Sequence, residues 1–423
     1  MLIVHAADIH LDSPLVGLEK YEGCPVQQLR SATRGALEAL VATALEERAD
    51  LVLLAGDLYD GAWKDYATGL FFVKQMARLR EANVPVVMVR GNHDAESEIT
   101  KRLRLPENVS DLSTSEPQSV VFESIGVAVH GQGFARRDLT DDLARRYPRP
   151  AAGAFNIGLL HTALWGREGH EPYAPTSLGV LQDKGYDYWA LGHVHRREVV
   201  SREPYVVFPG NLQGRHAREA GPKGATFVTV ESGKVRGVEH RAVDVVRWAD
   251  LSVRVVEEDV LDDVLERVQG ALSEAVGEAG DRLVAARVTL FGRSPKVALC
   301  SESAAALTAD VRAAAVDAAG EQAWIGSVRV HVRPAIDADA LAGGDAAAAD
   351  PVAHLVRSIR ELCADEGELR ALAATLADLG DKLPEELRHD PAAAFLDDPE
   401  AMRAVLADVE DLLVARVALG DEP

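Results

Sequence analysis

The chain opens with MLIVHAADIH, residues 1–10, in which an apolar run ends at Asp8 and His10. A short apolar run bounded by polar residues is typical of a buried strand followed by a turn. Two side chains that can bind metal would then stand one residue apart at the carboxyl end of that strand. The same arrangement recurs along the first half of the chain, and its repetition decides the predicted fold.

Four further apolar runs end in polar motifs in the same way. They are LVLLAGDLYD at 51–60, VPVVMVRGNHD at 84–94, FNIGLLH at 155–161 and YDYWALGHVH at 186–195. Apolar residues at helical spacing separate the first three runs, over 26–47 and 66–82. This strand–helix–strand alternation predicts parallel strands in an α/β fold. Sites in such sheets form where the carboxyl ends of the strands meet, so we expect the five motifs to form one site.

The motifs supply oxygen and nitrogen donors of the kind that divalent metals bind. The candidate ligands are Asp8, His10, Asp57, Asn92, His161, His193 and His195. We interpret them as a two-metal phosphoesterase site, in which a carboxylate, here Asp57, bridges two cations about 3.5–4 Å apart. Mixed donors suit Mn²⁺, Fe²⁺ or Zn²⁺ better than Mg²⁺ or Ca²⁺, which prefer oxygen alone. His93, beside a ligand, is the candidate to orient the scissile phosphate or to protonate the leaving oxygen.

Each motif alone is weaker evidence than the ordered set. Asp-x-His or Gly-Asp after a strand is more often a capped turn, and a single histidine such as His161 is more often a core or surface residue. The motif at 91–94, Gly-Asn-His-Asp, is more specific, because a turn requires neither the histidine nor the second carboxylate. Five such motifs in order, all at strand ends, favour a metal site.

Composition and charge exclude several classes of protein. The length of 423 residues predicts two or three domains, and the net charge of −22 argues against non-specific nucleic-acid binding by the whole surface. Residues 251–423 hold 16 basic and 34 acidic residues and so account for −18 of the net charge of −22. Residues 1–250, which carry the motifs, are therefore nearly neutral. We expect no membrane association and a cytoplasmic location, since neither a spanning run nor a secretion signal is visible. Three scattered cysteines predict neither disulfides nor a cysteine zinc site.

The predicted elements divide the chain into four parts. Residues 1–245 carry the motifs, and later runs within them, at 205–208, 225–230 and 235–239, predict antiparallel strands that close a second sheet. Residues 246–336 show the order β-α-β-α-β, which predicts a small α+β domain. An Ala/Asp/Gly stretch at 337–349 predicts a linker.

Residues 350–423 carry two helix starts, Asp350-Pro351 and Asp398-Pro399, each followed by an apolar stripe. These helices could pack on the body as a hairpin or could dock the helices of a partner protein. The stripes favour neither alternative.

The five motifs together resemble the signature of the calcineurin-like metallophosphoesterases, which runs D-x-H, G-D-x-x-D, G-N-H-D/E, H and G-H-x-H. The resemblance covers residues 1–240. Within that superfamily, the opening run at 1–12 and PGNLQGRH at 209–216 are similar to the SbcD-type DNA repair exonucleases, most of all the YhaO-type branch. The resemblance implies an α/β fold: a two-sheet sandwich flanked by helices, with a small α+β capping domain and a C-terminal helical segment.

The resemblance also assigns roles to the candidate residues. One metal would be held by Asp8, His10, Asp57 and His195, and the second by Asp57, Asn92, His161 and His193. His93 would be the catalytic residue near the scissile bond. Mn²⁺ is the expected metal, with Fe²⁺, Zn²⁺ or Mg²⁺ as alternatives.

Candidates for substrate contact flank the motifs: Asp60, Arg196, Arg215 and His216. A single arginine in such a place is more often solvated surface charge. Asp60 stands where some relatives carry His.

The leading functional hypothesis is a metal-dependent DNA exonuclease that acts with an SMC-like ABC ATPase of the SbcC/YhaN type. The resemblance implies this partner and also a homodimer. One alternative is a phosphodiesterase for small substrates such as cyclic nucleotides, which would use the same metal site. Another is a non-catalytic, DNA-end-binding structural subunit of the ATPase complex, although such a subunit has no need of His93.

Overall fold

The computed structural model describes residues 1–13, 23–60, 66–95, 103–164, 173–296, 299, 304–334, 351–376 and 398–419. The predicted linker at 337–349 lies outside these residues. The chain divides into two compact units. Unit 1 comprises residues 1–250, 272–287 and 318–326, and unit 2 comprises 251–271, 288–317 and 327–423. The domain boundaries predicted at residues 245 and 336 stay predictions.

The elements of unit 1 alternate as the sequence indicates. Its strands are β1 (Leu2–Ala6), β2 (Leu51–Ala55), β3 (Val86–Val89), β4 (Val109–Asp111), β5 (Gln118–Phe122), β6 (Val127–Gly131), β7 (Phe155–His161), β8 (Tyr188–Gly192), β9 (Glu198–Arg202), β10 (Tyr205–Phe208), β11 (Gly224–Glu231) and β12 (Lys234–Ala242). Its helices include α1 (Val26–Glu46), α2 (Tyr66–Glu81), the single turn α3 (Asn92–Ala95) and α4 (Leu178–Asp183).

Two six-stranded sheets carry the motifs. The first has the order β12-β11-β1-β2-β3-β4, in which β1 to β4 are parallel and β11 and β12 are antiparallel. The second has the order β5-β6-β7-β8-β10-β9, in which β6, β7, β8 and β10 are parallel. Strand alternation explains the layers, because successive side chains of one strand face opposite sides. Ile3, for example, joins the core between the sheets, while Val4 joins the core beneath α1 and α2.

This architecture confirms the predicted α/β fold with two sheets flanked by helices. The position of two late strands differs from the expectation. The sequence predicted that residues 205–208, 225–230 and 235–239 form antiparallel strands that close the second sheet. β10 lies in the second sheet, antiparallel to β9 but parallel to β8, whereas β11 and β12 extend the first sheet beside β1. Apolar alternation fixes which face of a strand is buried, but both sheets of a sandwich offer the same apolar interior. The pattern alone therefore could not select the partner sheet.

The remaining elements follow the predicted order. They are β13 (Val246–Val255), α5 (Leu261–Ala279), β14 (Leu283–Ser294), α6 (Ala304–Ala319) and β15 (Ala323–Pro334), with the three strands in one sheet of order β13-β14-β15. Three helices follow, α7 (Pro351–Ala364), α8 (Glu366–Thr375) and α9 (Pro399–Leu419). Ile359, Leu369 and Met402 pack together, one from each helix, so these helices share an apolar core of their own. No helix in the described part of the chain is long and apolar enough to cross a bilayer.

Candidate active site

Five loops of unit 1 meet at one edge of its sheets. β1, β2 and β3 are parallel neighbours, as are β7 and β8, so the loops after these strands leave each sheet on the same side. The end of β7 contacts the end of β2 directly, because His161 Nδ1 lies 2.9 Å from the carbonyl oxygen of Ala55. The candidate ligands are thereby gathered from both sheets into one largely buried cluster.

The first group of converging donors comes from β1 and β8. Asp8, His10 and His195 each offer one ligand atom, and these atoms all lie within 4.8 Å of one another. The Nε2 atoms of His10 and His195 are 3.2 Å apart, although they belong to different sheets. Both imidazoles therefore point their outer nitrogens at the same small volume.

The second group centres on Asp57. Its Oδ2 atom lies 3.4 Å from Nε2 of His161 and 3.9 Å from Nε2 of His10. Nε2 of His161 also lies 2.9 Å from Oδ1 of Asn92. The Asp57 carboxylate thus lies between the two histidines that the family resemblance assigns to different metals, as a bridging ligand would.

His193 joins the cluster through its backbone and its ring. Its backbone N–H donates to the Asp8 carboxylate, with both oxygens at 3.1 Å. The centroid of its ring lies 5.2 Å from that of His161 and 5.8 Å from that of Tyr173. The His193 ring therefore lies beside His161, and its backbone contacts Asp8 of the first group.

His93 forms a close pair with Asp60. Nδ1 of His93 is 2.9 Å from Oδ1 of Asp60, and the backbone N–H of His93 donates to Oδ1 of Asp57 at 3.0 Å. Ser13 Oγ donates to the other Asp60 oxygen at 2.5 Å. The Asp60 side chain therefore contacts His93 from within the cluster.

The other candidates for substrate contact are placed unequally. Arg215 lies against the cluster, with its NH1 atom 3.7 Å from Oδ2 of Asp60. His216 is about half exposed, and its Nε2 atom is 3.8 Å from Oε1 of Glu219. Arg196 is exposed, one residue beyond His195 in the chain. Of these three residues, Arg215 is the one that lies among the candidate ligands.

Four of the candidate ligands adopt left-handed backbone conformations, which side chains other than glycine rarely adopt. The φ angles are 51° at Asp8, 46° at His10, 52° at Asp57 and 102° at His193. Such conformations cost about 1–3 kcal/mol each and concentrate at functional sites. Such conformations persist where the surrounding structure holds them in place, so local sequence patterns do not predict them.

Two motif glycines are required by close approach. A Cβ atom on Gly91 would lie 2.2 Å from Oδ1 of Asp57, and one on Gly192 would lie 1.9 Å from the carbonyl oxygen of Ala55. Both distances are far below van der Waals contact, so any larger residue would displace the β2 loop. Gly91 therefore lets the loops after β2 and β3 of the first sheet approach each other, and Gly192 lets the end of β8 in the second sheet approach the end of β2.

Two acidic residues support the cluster in ways that the sequence did not indicate. Asp94, the last residue of the third motif, accepts hydrogen bonds from the backbone N–H groups of Leu58, Tyr59 and Gly91. Glu219, outside every motif, has its Oε1 atom 2.7 Å from Nδ1 of His195. The signature G-N-H-D could have pointed to Asp94, whereas no sequence signal singled out Glu219.

Burial and charge set the protonation of the cluster. Burial raises the pKa of Asp8 to about 6, because a charged carboxylate loses hydration there. Burial also opposes the charge on Asp57, but His161 and His10 outweigh it and hold the pKa of Asp57 below its ordinary value. For His161, the charge of Asp57 overcomes burial and raises the pKa to about 9. The buried carboxylates therefore require compensating positive charge in their immediate surroundings.

The donor set fits divalent cations. Two imidazole nitrogens 3.2 Å apart cannot both carry a proton, whereas a cation accepts both lone pairs. The other ring nitrogen of His161 faces the Ala55 carbonyl, and that of His195 faces Glu219, the kind of support that metal-binding histidines usually have. Nδ1 of His10 lies 3.6 Å from Oδ1 of Asp60, which leaves Nε2 of that ring to face the cluster.

Comparison with known proteins finds two family models that match the chain and solved structures that are similar to it. A family model described as calcineurin-like phosphoesterase matches residues 1–197. A second model, described as the middle domain of metallophosphoesterase YhaO, matches residues 248–333. A solved structure, TT1561 of Thermus thermophilus, is 18% identical, with a TM-score of 0.34, over 56% of this chain and 98% of that chain.

Two curated relatives extend the similarity beyond the first model. The DNA double-strand break repair protein Mre11 of Methanopyrus kandleri is 26% identical over 299 residues, which are 63% of this chain and 62% of that protein. The uncharacterized metallophosphoesterase YhaO of Bacillus subtilis (strain 168) is 36% identical over 300 residues, which are 70% of this chain and 73% of that protein. These findings confirm the resemblance seen in the sequence: the chain belongs to the calcineurin-like metallophosphoesterases, which bind a dinuclear metal site.

Proposed function

We propose that this chain is a two-metal-dependent DNA exonuclease that acts with an SMC-like ABC ATPase in the cytoplasm. The observation that carries the two-metal part is the position of Asp57 Oδ2, 3.4 Å from His161 Nε2 and 3.9 Å from His10 Nε2. DNA as substrate is supported by the 26% identical relative, a DNA double-strand break repair protein. The chain spans 62% of the length of that relative, so DNA as the substrate and the ATPase as the partner are parts of this proposal.

The proposed ligands divide into two sets that share one carboxylate. Asp8, His10, Asp57 and His195 would hold one cation, and Asp57, Asn92, His161 and His193 the other. Two cations in such a site activate water for attack on phosphorus and offset the charge that develops on the phosphate oxygens. We propose Mn²⁺, because oxygen and nitrogen donors are mixed in both sets.

His93 is suited to donate a proton to the leaving oxygen. Nδ1 of His93 faces the Asp60 carboxylate at 2.9 Å, so the Nδ1 proton is held there and Nε2 is left to exchange a proton with substrate. Burial lowers the pKa of His93, but the hydrogen bond to Asp60 and the charge of Asp57 outweigh it and leave the pKa raised above its ordinary value. A raised pKa favours the protonated ring, which can act as a general acid.

Arg215 would bind the phosphate that is cleaved. Its guanidinium lies beside Asp60, and the side chain is mostly buried, with 18% of its surface exposed. A guanidinium presents donors in a planar fork that matches two phosphate oxygens. Asp60 would therefore orient both the proton donor and the phosphate-binding group.

The C-terminal helices are the proposed docking element for the ATPase. α7, α8 and α9 pack on one another through residues that include Ile359, Leu369 and Met402. A bundle with its own core can present a stable surface to the helices of a partner. The acidic excess of residues 251–423 makes basic partner helices the expected complement.

A cleavage assay tests the DNA assignment. Linear duplex DNA labelled at either end is incubated with the full chain and with Mn²⁺, Fe²⁺, Zn²⁺ or Mg²⁺ in turn. We expect Mn²⁺-dependent loss of nucleotides from an end of linear DNA, none from closed circular DNA, and none with His93→Gln, which should still bind metal. Turnover of cyclic nucleotides or small diesters without cleavage of DNA under any metal would contradict the proposal.

A further inference from the structure

We propose that Glu219 is a positioning residue that fixes the tautomer and orientation of His195 for metal binding and ties this ligand to Arg215. Glu219 lies in the loop after β10, outside the five motifs, and is 7% exposed. The inference rests on the proposed function in one respect, the role of His195 as a ligand.

The contact between Glu219 and His195 decides which nitrogen of the imidazole is available. An ionised carboxylate only accepts hydrogen bonds, so Nδ1 of His195 must donate its proton to Oε1 of Glu219, 2.7 Å away. A neutral ring protonated at Nδ1 has its lone pair on Nε2. That lone pair faces Nε2 of His10 at 3.2 Å, within the first group of ligands.

The second oxygen of Glu219 is held by two donors from its own loop. Oε2 accepts from Nδ2 of Asn211 at 2.9 Å and from the backbone N–H of Arg215 at 2.8 Å. The Asn211 side chain also donates to the carbonyl of Gln213 at 2.8 Å. These hydrogen bonds therefore hold the Glu219 carboxylate in place beside His195.

The same carboxylate orients Arg215. NH2 of Arg215 lies 3.3 Å from Oε1 of Glu219 and 3.3 Å from Nδ1 of His195. The guanidinium and a protonated Nδ1 are both donors, so the 2.7 Å contact assigns the Nδ1 proton to Glu219. The carboxylate accepts from both groups, which places the metal ligand and the proposed phosphate-binding arginine in one fixed arrangement.

Loss of the carboxylate charge should therefore weaken one metal site. In Glu219→Gln, the amide N–H₂ group can donate to Nδ1 of His195, which then holds its proton on Nε2 and loses the lone pair that faces the metal. Removal of such supporting partners commonly weakens metal binding by about 10- to 100-fold. The ion held by Asp57, Asn92, His161 and His193 should keep its affinity.

The test uses the metal-free full chain and no DNA. Calorimetric titration with Mn²⁺ compares the wild type with Glu219→Gln and with Glu231→Gln, a matched change at an exposed glutamate on β11. We expect one of two Mn²⁺ affinities to fall at least tenfold in Glu219→Gln, with both unchanged in Glu231→Gln. If both affinities stay within twofold of the wild type in folded Glu219→Gln, even with a lower melting temperature, the proposal is overturned.

A second measurement needs no folded variant at position 219. Long-range ¹H–¹⁵N NMR of the ¹⁵N-histidine-labelled wild type reports the tautomer of His195, assigned with His195→Gln. We expect the proton on Nδ1, and a proton on Nε2 instead would overturn the proposal. Because neither readout uses DNA, an absence of cleavage would count against the exonuclease proposal and leave this inference standing.

Discussion

Asp60 and His93 form a hydrogen-bonded pair, with Oδ1 of Asp60 2.9 Å from Nδ1 of His93. The same carboxylate accepts from Ser13 and lies 3.7 Å from the guanidinium of Arg215. The pair thus connects the proposed proton donor to the proposed phosphate-binding group. The pair should therefore influence how the rate of cleavage depends on pH, and Asp60→Asn should change that dependence.

Asp60→Asn should lower the pKa of His93, because the substitution removes the charge and the strong acceptor that raise it. A general acid works below its own pKa, so the alkaline limb of the pH–rate profile should move to lower pH. The rate at neutral pH should fall about 100-fold, the lower end of the usual contribution of acid–base catalysis. The check is the pH profile of cleavage by the Mn²⁺-loaded enzyme.

Asp138→Asn, at a carboxylate that is 82% exposed, is the matched control and should leave the profile unchanged. An unshifted alkaline limb in Asp60→Asn would mean that His93 is not the group that titrates in the rate.

Gly91→Ala should weaken metal binding and stability together. The new Cβ would lie 2.2 Å from Oδ1 of Asp57, so the carboxylate or the loop must move. Overpacking of this kind costs about 1–3 kcal/mol of unfolding free energy. We expect a lower melting temperature and fewer than two metals per chain by elemental analysis.

Gly179→Ala is the control for this change, because a Cβ there, on helix α4, meets no atom within 4 Å. Alanine is favoured over glycine in a helix by about 1 kcal/mol, so this variant should be as stable as the wild type or more so. Equal metal content in the two variants would show that the approach of Gly91 to Asp57 is not needed for the site.

His5 should make unit 1 less stable in acid. Nδ1 of its ring lies 3.0 Å from the Tyr188 hydroxyl and Nε2 lies 3.1 Å from the Leu191 carbonyl, so the neutral ring fits its surroundings. Burial lowers its pKa to about 3, while the unfolded chain titrates near 6.5. As the pH drops from 6.5 towards 3, His5 takes up a proton in the unfolded state but not in the folded state. The free energy of unfolding therefore falls over this range.

The slope from this one group is about 1.4 kcal/mol per pH unit, or about 2 kcal/mol between pH 6.5 and 5. Denaturant unfolding at pH 7.5 and pH 5 should show that loss in the wild type and in His354→Gln, a change at an exposed histidine. His5→Gln should lose about 2 kcal/mol less over the same interval. Parallel pH dependence in all three proteins would be the contrary result.

The sequence predicted the elements that position the site because each motif follows a strand, and parallel strands end at one edge. The sequence therefore predicts that Asp8, Asp57 and His161 lie close together, and the structure brings a ligand atom of each within 4.8 Å of the others. Their roles as ligands, and that of His93 as proton donor, stay predictions. The partner sheet of β11 was not predictable, since both sheets present the same apolar face.

The supporting structure of the site was also beyond the sequence. Glu219 contacts His195 across 24 residues of sequence from a position outside the motifs, and short-range patterns carry no information about such contacts. The left-handed backbone at Asp8 and Asp57 arises from tertiary packing, which overrides the local preference of these residues.

The most direct test of the two-metal proposal is anomalous diffraction from crystals soaked in Mn²⁺, collected for the wild type and for Asp57→Asn. We expect two anomalous peaks about 3.5–4 Å apart in the wild type, one on each side of the Asp57 carboxylate. Asp57→Asn should lose at least one peak. A single peak, or two peaks that do not share Asp57, would contradict the bridging role on which the proposed mechanism depends.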